Sequence, residues 1–136
     1  MKYNTEYYAK ELYSYTDLET EVFLVIPLHS DGRIKSIEEI ETISTEHDCT
    51  FNINDIVDIS DVFESKKILI AHNHPNDTAT PSIVDKDLTS DVLKLCEEND
   101  IELLDHIIVS KTGYFSFKDD NILNKRPVLV LSKKVC

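Results

Sequence analysis

The chain has 136 residues, of which 41% are hydrophobic and 29% charged, and its formal net charge is −12 at pH 7. This length and composition are typical of one globular domain, and no apolar run approaches the roughly 18 residues that a membrane-spanning helix needs. The start, MKYNTEYYAKELYS, lacks the apolar core of a signal peptide. Three scattered cysteines without a C-x-x-C motif fit a reducing compartment, so we expect a cytoplasmic protein.

The strong acidity also limits the partners. A negative field of this size repels phosphate backbones, and no basic run offsets it, so the net charge disfavours nucleic acid as a partner. Gly32 and Gly113 are the only glycines, which excludes a glycine-rich phosphate-binding loop.

The predicted elements alternate between helices and strands. In chain order, the pattern predicts a helix over 5–14, a buried strand over 21–29, a hairpin turn at Asp31-Gly32 with a strand near 33–42, a helix over 53–64, a buried strand over 66–71, a helix over 82–99, and two strands around the Lys111–Gly113 turn. This alternation indicates an α/β sandwich with a mixed sheet. We interpret 1–136 as one domain, with an amino-terminal helix within 1–15 and a divergent tail over 119–136 that contains an edge strand in PVLVLS.

The helix over 82–99 shows the clearest periodicity. Its apolar stripe is formed by Val84, Leu88, Val92 and Leu95, and we expect this stripe to face the sheet. Cys96 is expected in the core.

The stretch ILIAHNHPNDTATPSIVD, 68–85, contains the candidate metal ligands. Side chains two residues apart in an extended chain point to the same side, so His72 and His74 can reach one point while Asn73 faces away. Ser82 stands where a helix should begin, and Asp85 lies one turn into that helix. Two neutral imidazoles and a carboxylate are typical of an open zinc site, in which the fourth position is left for water.

Part of this pattern also has a structural interpretation. Ser82 and Asp85 have the spacing of a capping box, in which the serine binds free backbone N–H groups and the acid favours the helix dipole. A pair of histidines at a strand end is weak evidence when taken alone. The two interpretations are compatible, because Ser82 can cap the helix and still face a metal ion.

A zinc hydrolase also needs a base for its water, and the residues leave two candidates open. Glu21 opens the most apolar predicted strand, and Glu19 lies on the same face. Among the other histidines, His106 alternates with apolar residues, so we expect a buried histidine beside the site, orienting it together with Asp105. His29 and His47 are expected at the surface.

The segments AHNHP, TPS and LLDHIIVS resemble the RadC-like branch of the JAMM (MPN-plus) metallopeptidases. The metal motif of that family is His-x-His, seven residues, Ser, two residues and Asp, and His72, His74, Ser82 and Asp85 fit it without a gap. Its glutamate stands directly before the first core strand, where this chain has Glu21. The resemblance implies one zinc ion per chain held by the two histidines and the aspartate, with Glu21 handling the proton of the water and Ser82 assisting the oxyanion.

The resemblance further implies a three-layer α/β/α sandwich related to the cytidine deaminases, and hydrolysis of amide or isopeptide bonds. The implied partner is a protein or peptide substrate, and a homodimer stays open. Two alternatives are a catalytically silent binding module of the same fold and a RadC-like protein acting in DNA-associated processes, which the charge disfavours. A zinc deaminase would need H-x-E and P-C-x-x-C, and neither motif occurs.

Overall fold

The computed structural model describes residues 4–44 and 49–123. Its elements in chain order are α1 (Thr5–Glu11), a 3₁₀ helix (Tyr13–Asp17), β1 (Phe23–Pro27), β2 (Glu38–Ile40), β3 (Ile43–Ser44), β4 (Cys49–Thr50), α2 (Asn54–Val62), β5 (Lys67–Asn73), α3 (Ile83–Glu98), β6 (Glu102–Ser110) and β7 (Gly113–Ser116). Five strands form one sheet in the order β2-β1-β5-β6-β7, in which β5 and β6 are parallel and the other neighbours antiparallel. Within the described residues, no helix is long and apolar enough to cross a membrane.

The central strands are buried, and their side chains alternate between two apolar clusters. One cluster includes Ile56 from α2 and Val92 from α3, and the other includes Tyr8 and Leu12 from α1. Each fully buried aliphatic side chain stabilises the fold by about 1.5–3 kcal/mol. The sheet is therefore held from both faces, which fixes the position of the central strand β5.

The predicted mixed α/β architecture is confirmed, since every helix and strand predicted before residue 118 has a counterpart. Cys96 is buried as predicted. The turn at Gly32 is present and has a positive φ of 96°, which glycine adopts without strain. His29, expected at the surface, is half-buried beside this turn. The predictions for PVLVLS and for His47 lie outside the described residues.

The predicted apolar stripe of α3 is confirmed at Val92, which is buried, and at Leu88, which packs against the core, and it is wrong in the first turn. Val84 is 61% exposed, and the buried residues of the helix are Asp85, Thr89, Val92 and Cys96. Two polar residues thus face the sheet in the first turns, because partners deep in the fold satisfy them, as described below. A rule that buries the most hydrophobic stripe has no means of detecting those partners.

Candidate metal centre

Four side chains converge at the carboxyl end of β5. His72 lies near the end of that strand, His74 just beyond it, Asp85 in the first turn of α3, and Glu21 just before β1. One ligand atom from each lies within 4.8 Å of those of the other three. The structure therefore brings together the four residues that the resemblance implies for metal and base.

The shortest contacts within this cluster join the two imidazoles and the aspartate. The Nε2 atoms of His72 and His74 lie 3.1 Å apart. The Asp85 carboxylate spans both, with Oδ1 3.2 Å from His72 Nε2 and Oδ2 3.2 Å from His74 Nε2. Glu21 lies at the open side, where its Oε2 is 3.5 Å from His72 Nε2 and its side chain is 55% exposed.

The strand geometry explains why the two histidines meet. The β5–β6 ladder continues past the last strand residue, because the backbone N–H of His74 donates to the carbonyl of Val109 at 2.9 Å. The segment thus stays extended through residue 74, and residues 72 and 74 keep the same side. Pro75 follows directly and has no N–H with which to continue the ladder.

Asn73 lies between the two histidines and faces the other way, fully buried. Its Oδ1 accepts from the backbone N–H of Val22 at 2.7 Å, and its Nδ2 donates to the carbonyls of Tyr15 and Thr20 at 3.1 and 3.0 Å. These bonds fasten the segment before β1 to the end of β5, and this segment carries Glu21. The sequence pattern predicts only that Asn73 faces away from the histidines. The sequence does contain a signal for this role, which is an asparagine between two histidines at the end of a buried strand. A buried amide needs hydrogen-bond partners.

Ser82 and Asp85 form the capping box that their spacing predicts. Ser82 Oγ accepts from the N–H of Asp85 at 3.0 Å, and Asp85 Oδ2 accepts from the N–H of Ser82 at 2.8 Å. The cap therefore fixes the orientation of the carboxylate toward the histidines. It uses the oxygen of the serine hydroxyl as an acceptor and leaves its proton available.

The electrostatics keep Asp85 in the form that binds cations. Burial by itself raises the pKa of this carboxyl, but the hydrogen bond and charge of a protonated His72, together with the hydrogen bonds to Ser82, outweigh it. The net result is a pKa well below the usual range of an aspartate. Asp85 is therefore a carboxylate at neutral pH.

The orientation of His74 is also fixed. Its Nδ1 lies 2.9 Å from the carbonyl oxygen of Thr78, which can only accept. Nδ1 therefore carries the proton of the neutral ring, and the Nε2 lone pair faces the cluster.

The donor set fits a metal ion. Imidazole nitrogen and carboxylate oxygen are the ligands of zinc in open sites, with bonds of about 2.0–2.1 Å that separate neighbouring tetrahedral ligands by roughly 3.3–3.4 Å. The contacts of 3.1 and 3.2 Å are close to that spacing. Acceptors this close repel one another unless a cation or protons lie between them, so the cluster of Glu21, His72, His74 and Asp85 can hold a metal ion.

Behind the cluster, His106 is fully buried and contacts the site. Its Nε2 lies 2.9 Å from Nδ1 of His72, and its Nδ1 lies 2.5 Å from Oγ1 of Thr89. Its ring stacks on Phe117, with centroids 4.6 Å apart and planes 5° from parallel. Desolvation, followed by the positive charge of a protonated His72, holds the pKa of His106 well below its usual value. His106 is therefore a neutral imidazole beside a candidate ligand. Its burial was predicted, whereas sequence reasoning missed Thr89.

Asp105, which is predicted to orient the site together with His106, contacts the backbone of that residue. Its carboxylate accepts from the N–H of His106 at 2.7 Å, the N–H of Lys118 at 2.8 Å and the hydroxyl of Ser116 at 2.5 Å. Ser116 and Phe117 are adjacent, so their side chains point to opposite sides. Because the Phe117 ring stacks on His106, Ser116 points away from His106. Asp105 thus fastens β6 to β7 and the turn after it, on the other face of the sheet from the metal cluster.

A cleft of about 490 Å³ opens beside the cluster. Glu21, His74, Ser82 and Asp85 line its polar part. Its apolar walls include Phe23, Phe51, Val84 and Leu88. A chain segment lying in this cleft would reach His74 and the two carboxylates together.

The fold and the site define a mixed α/β domain with a histidine–carboxylate cluster that could hold a metal ion. The model of the RadC-like JAB domain family matches residues 3–122, and the chain belongs to that family. It is 32% identical to a UPF0758 protein of Histophilus somni over 111 residues, 79% of this chain and 50% of that relative. It is 35% identical to a UPF0758 protein of Acinetobacter baylyi over 106 residues, 78% of this chain and 39% of that relative. The chain thus spans half or less of the length of these relatives.

Proposed function

We propose that this domain is a zinc-dependent hydrolase of amide or isopeptide bonds, a metallopeptidase with the α/β/α sandwich of the JAMM type. In this proposal His72, His74 and Asp85 hold one zinc ion, Glu21 is the general base, and Ser82 stabilises the oxyanion. The observation that carries the proposal is the convergence of two imidazole nitrogens and a carboxylate, with a second, exposed carboxylate 3.5 Å from one of those nitrogens.

Glu21 is suited to proton transfer. The chemistry that zinc supplies when bound is a lowering of the pKa of water from about 15.7 to about 7. Glu21 accepts the proton of the attacking water and delivers it to the leaving amine, a role worth about 10²–10⁴ in rate. Its side chain is 55% exposed, so it can also exchange protons with solvent.

Ser82 is suited to the developing negative charge. It lines the same cleft as Glu21, and its hydroxyl proton is not used by the helix cap. A donor aimed at an oxyanion is worth about 10²–10³ in rate.

The substrate proposed for this site is a protein or peptide. The apolar walls of the cleft support this, because they offer contact to an apolar side chain next to the bond that is cleaved. The net charge of −12 supports a partner other than nucleic acid. We also propose that the protein acts in the cytoplasm.

The proposal is tested by Glu21→Gln with Glu19→Gln as the matched control, using zinc analysis and a panel of fluorogenic peptides and isopeptides. Glu21→Gln retains the shape of the side chain but cannot accept a proton, so zinc content should stay near wild type while cleavage falls by at least about 10². Glu19→Gln should leave both unchanged. Equal activity of Glu21→Gln and wild type would contradict the proposed base. Zinc binding by the wild type without any cleavage would favour the silent binding module.

A further inference from the structure

A continuous buried hydrogen-bond chain runs from the metal cluster into the core. Nδ1 of His72 lies 2.9 Å from Nε2 of His106, and Nδ1 of His106 lies 2.5 Å from Oγ1 of Thr89. Thr89 Oγ1 in turn donates to the backbone carbonyl of Asp85 at 2.7 Å. All three side chains are at most 3% exposed, so water does not compete for these bonds.

The donor and the acceptor of each hydrogen bond in this series follow from its last acceptor, the backbone carbonyl of Asp85. A carbonyl oxygen only accepts, so the single hydroxyl proton of Thr89 goes to Asp85. Thr89 Oγ1 must then accept from Nδ1–H of His106, which leaves Nε2 of the neutral His106 ring as an acceptor. Among the described residues, the donor that meets this acceptor is Nδ1–H of His72, and the lone pair of His72 Nε2 is thereby left for the metal cluster.

We propose that His106 is a positioning residue that, through Thr89, keeps a proton on Nδ1 of His72 and so directs the Nε2 lone pair of that ring at the metal. The inference rests on the proposed metal site and adds to it the residues that select the tautomer of the ligand.

Aromatic stacking beside these hydrogen bonds also fixes the planes of the His72 and His106 rings. His106 stacks on Phe117, and His72 stacks on Phe23 with centroids 5.9 Å apart and planes 12° from parallel. Thr89 lies one turn after Asp85 on the same helix, so the chain also joins the strand that carries His72 to the helix that carries Asp85. Both ligands are thus held by one network, in which each donor has an acceptor.

The most direct test reads the histidine tautomers by ¹⁵N NMR on the metal-free protein, with Thr89→Val and Thr89→Ser as a matched pair. Valine has nearly the shape of threonine but no hydroxyl, whereas serine keeps the hydroxyl. In the wild type and in Thr89→Ser, Nδ1 of His72 should be protonated and Nε2 of His106 unprotonated. In Thr89→Val, His106 loses the acceptor that orients it, so we expect both tautomers of His72. An unprotonated His72 Nδ1 in the wild type, or identical spectra for all three proteins, would overturn the proposal.

A second measurement separates this role from a general effect on the fold. His106→Gln can place an amide oxygen where Nε2 of His106 accepts from His72, whereas His106→Leu cannot. We expect zinc affinity in a chelator competition to fall about 10–100-fold in Thr89→Val and His106→Leu, and to be largely restored in Thr89→Ser and His106→Gln. Equal affinities within each pair would contradict the proposal. The tautomer is read without metal or substrate, so its outcome is independent of whether the protein proves to be a hydrolase.

Discussion

Asp105 and His106 are neighbours on β6, and their side chains lie on opposite faces of the sheet in two buried polar clusters. In the cluster around Asp105, the carboxylate accepts from two backbone N–H groups and from the hydroxyl of Ser116. The metal cluster instead brings together lone pairs from His72, His74 and two carboxylates.

The difference separates a structural polar cluster from a candidate binding site. A buried acceptor that protein donors satisfy holds the chain together and needs nothing further. Acceptors that converge on one point, with their own donors turned outward to carbonyls and neighbouring rings, leave a negative region that a cation would neutralise. Burial alone does not distinguish the two clusters, whereas the direction of the donors does.

The largest effect is expected from removing a ligand in the metal cluster. Asp85→Ala should weaken zinc binding by at least about 10³-fold, because loss of a ligand exceeds the roughly 10–100-fold cost of losing an outer partner. Asp85→Asn keeps an oxygen for the N–H of Ser82 and is the control for the helix cap. Isothermal titration with zinc measures both, and wild-type affinity in either variant would remove Asp85 from the ligand set.

A substitution in the structural cluster around Asp105 should instead lower stability and leave zinc binding unchanged. Asp105→Ala leaves its donors without their acceptor, so the free energy of unfolding should fall by about 1–3 kcal/mol. Urea unfolding of the metal-free protein measures this change. Zinc stoichiometry of the folded variant should remain that of the wild type, and loss of zinc from a folded Asp105→Ala protein would mean that the two clusters are coupled.

A smaller effect, on cleavage alone, is expected from a substitution of Asn73. Asn73→Ala removes the bonds that fasten the Glu21 segment to β5, so we expect cleavage to fall about 10-fold by misplacement of the base. Zinc content should be unchanged, because both histidines remain on the strand. The control is Asn99→Ala, whose amide binds the carbonyl of Leu95 at the far end of α3. Equal loss of activity in the two variants would argue against a positioning role for Asn73.

The smallest effect concerns pH. The pKa of Asp85 is lowered in the folded protein, so its contribution to stability is present above its unfolded pKa of about 3.9 and is lost as pH falls through the lower folded value. The stability difference between metal-free wild type and Asp85→Asn should therefore shrink as pH falls below about 4. Acid titration of urea midpoints measures this difference, and a difference that grows as pH falls would contradict the sign.

Much of the fold could be predicted from local patterns. The continuous apolar runs in β1 and β5 identify buried strands, because burial on both faces removes the polar alternation. The spacing of His72, His74 and Asp85 identifies candidate ligands, since strand and helix periodicity decide which side chains can meet. The spacing of Ser82 and Asp85 also predicts the cap of α3, because this cap depends on local hydrogen bonds alone.

The remaining features depend on partners that are distant in sequence. Asn73 binds the backbone of a residue 51 positions away, and Thr89 meets His106 across 17 positions. The inward rotation of α3 follows from such pairings, because Thr89 faces the sheet in order to bind His106. Hydrophobic periodicity ranks residues by their own polarity, so it places Thr89 at the surface and Val84 in the core.

We propose that His72, His74 and Asp85 together hold one zinc ion. The most direct measurement is a crystal structure of the zinc-reconstituted protein with anomalous scattering recorded across the zinc absorption edge. We predict one anomalous peak per chain in this cluster. The zinc ion that gives this peak should be bonded to Nε2 of His72, Nε2 of His74 and the Asp85 carboxylate, with Glu21 nearby but not bonded. A protein without zinc at this position, or with zinc bound by other residues, would contradict the claim.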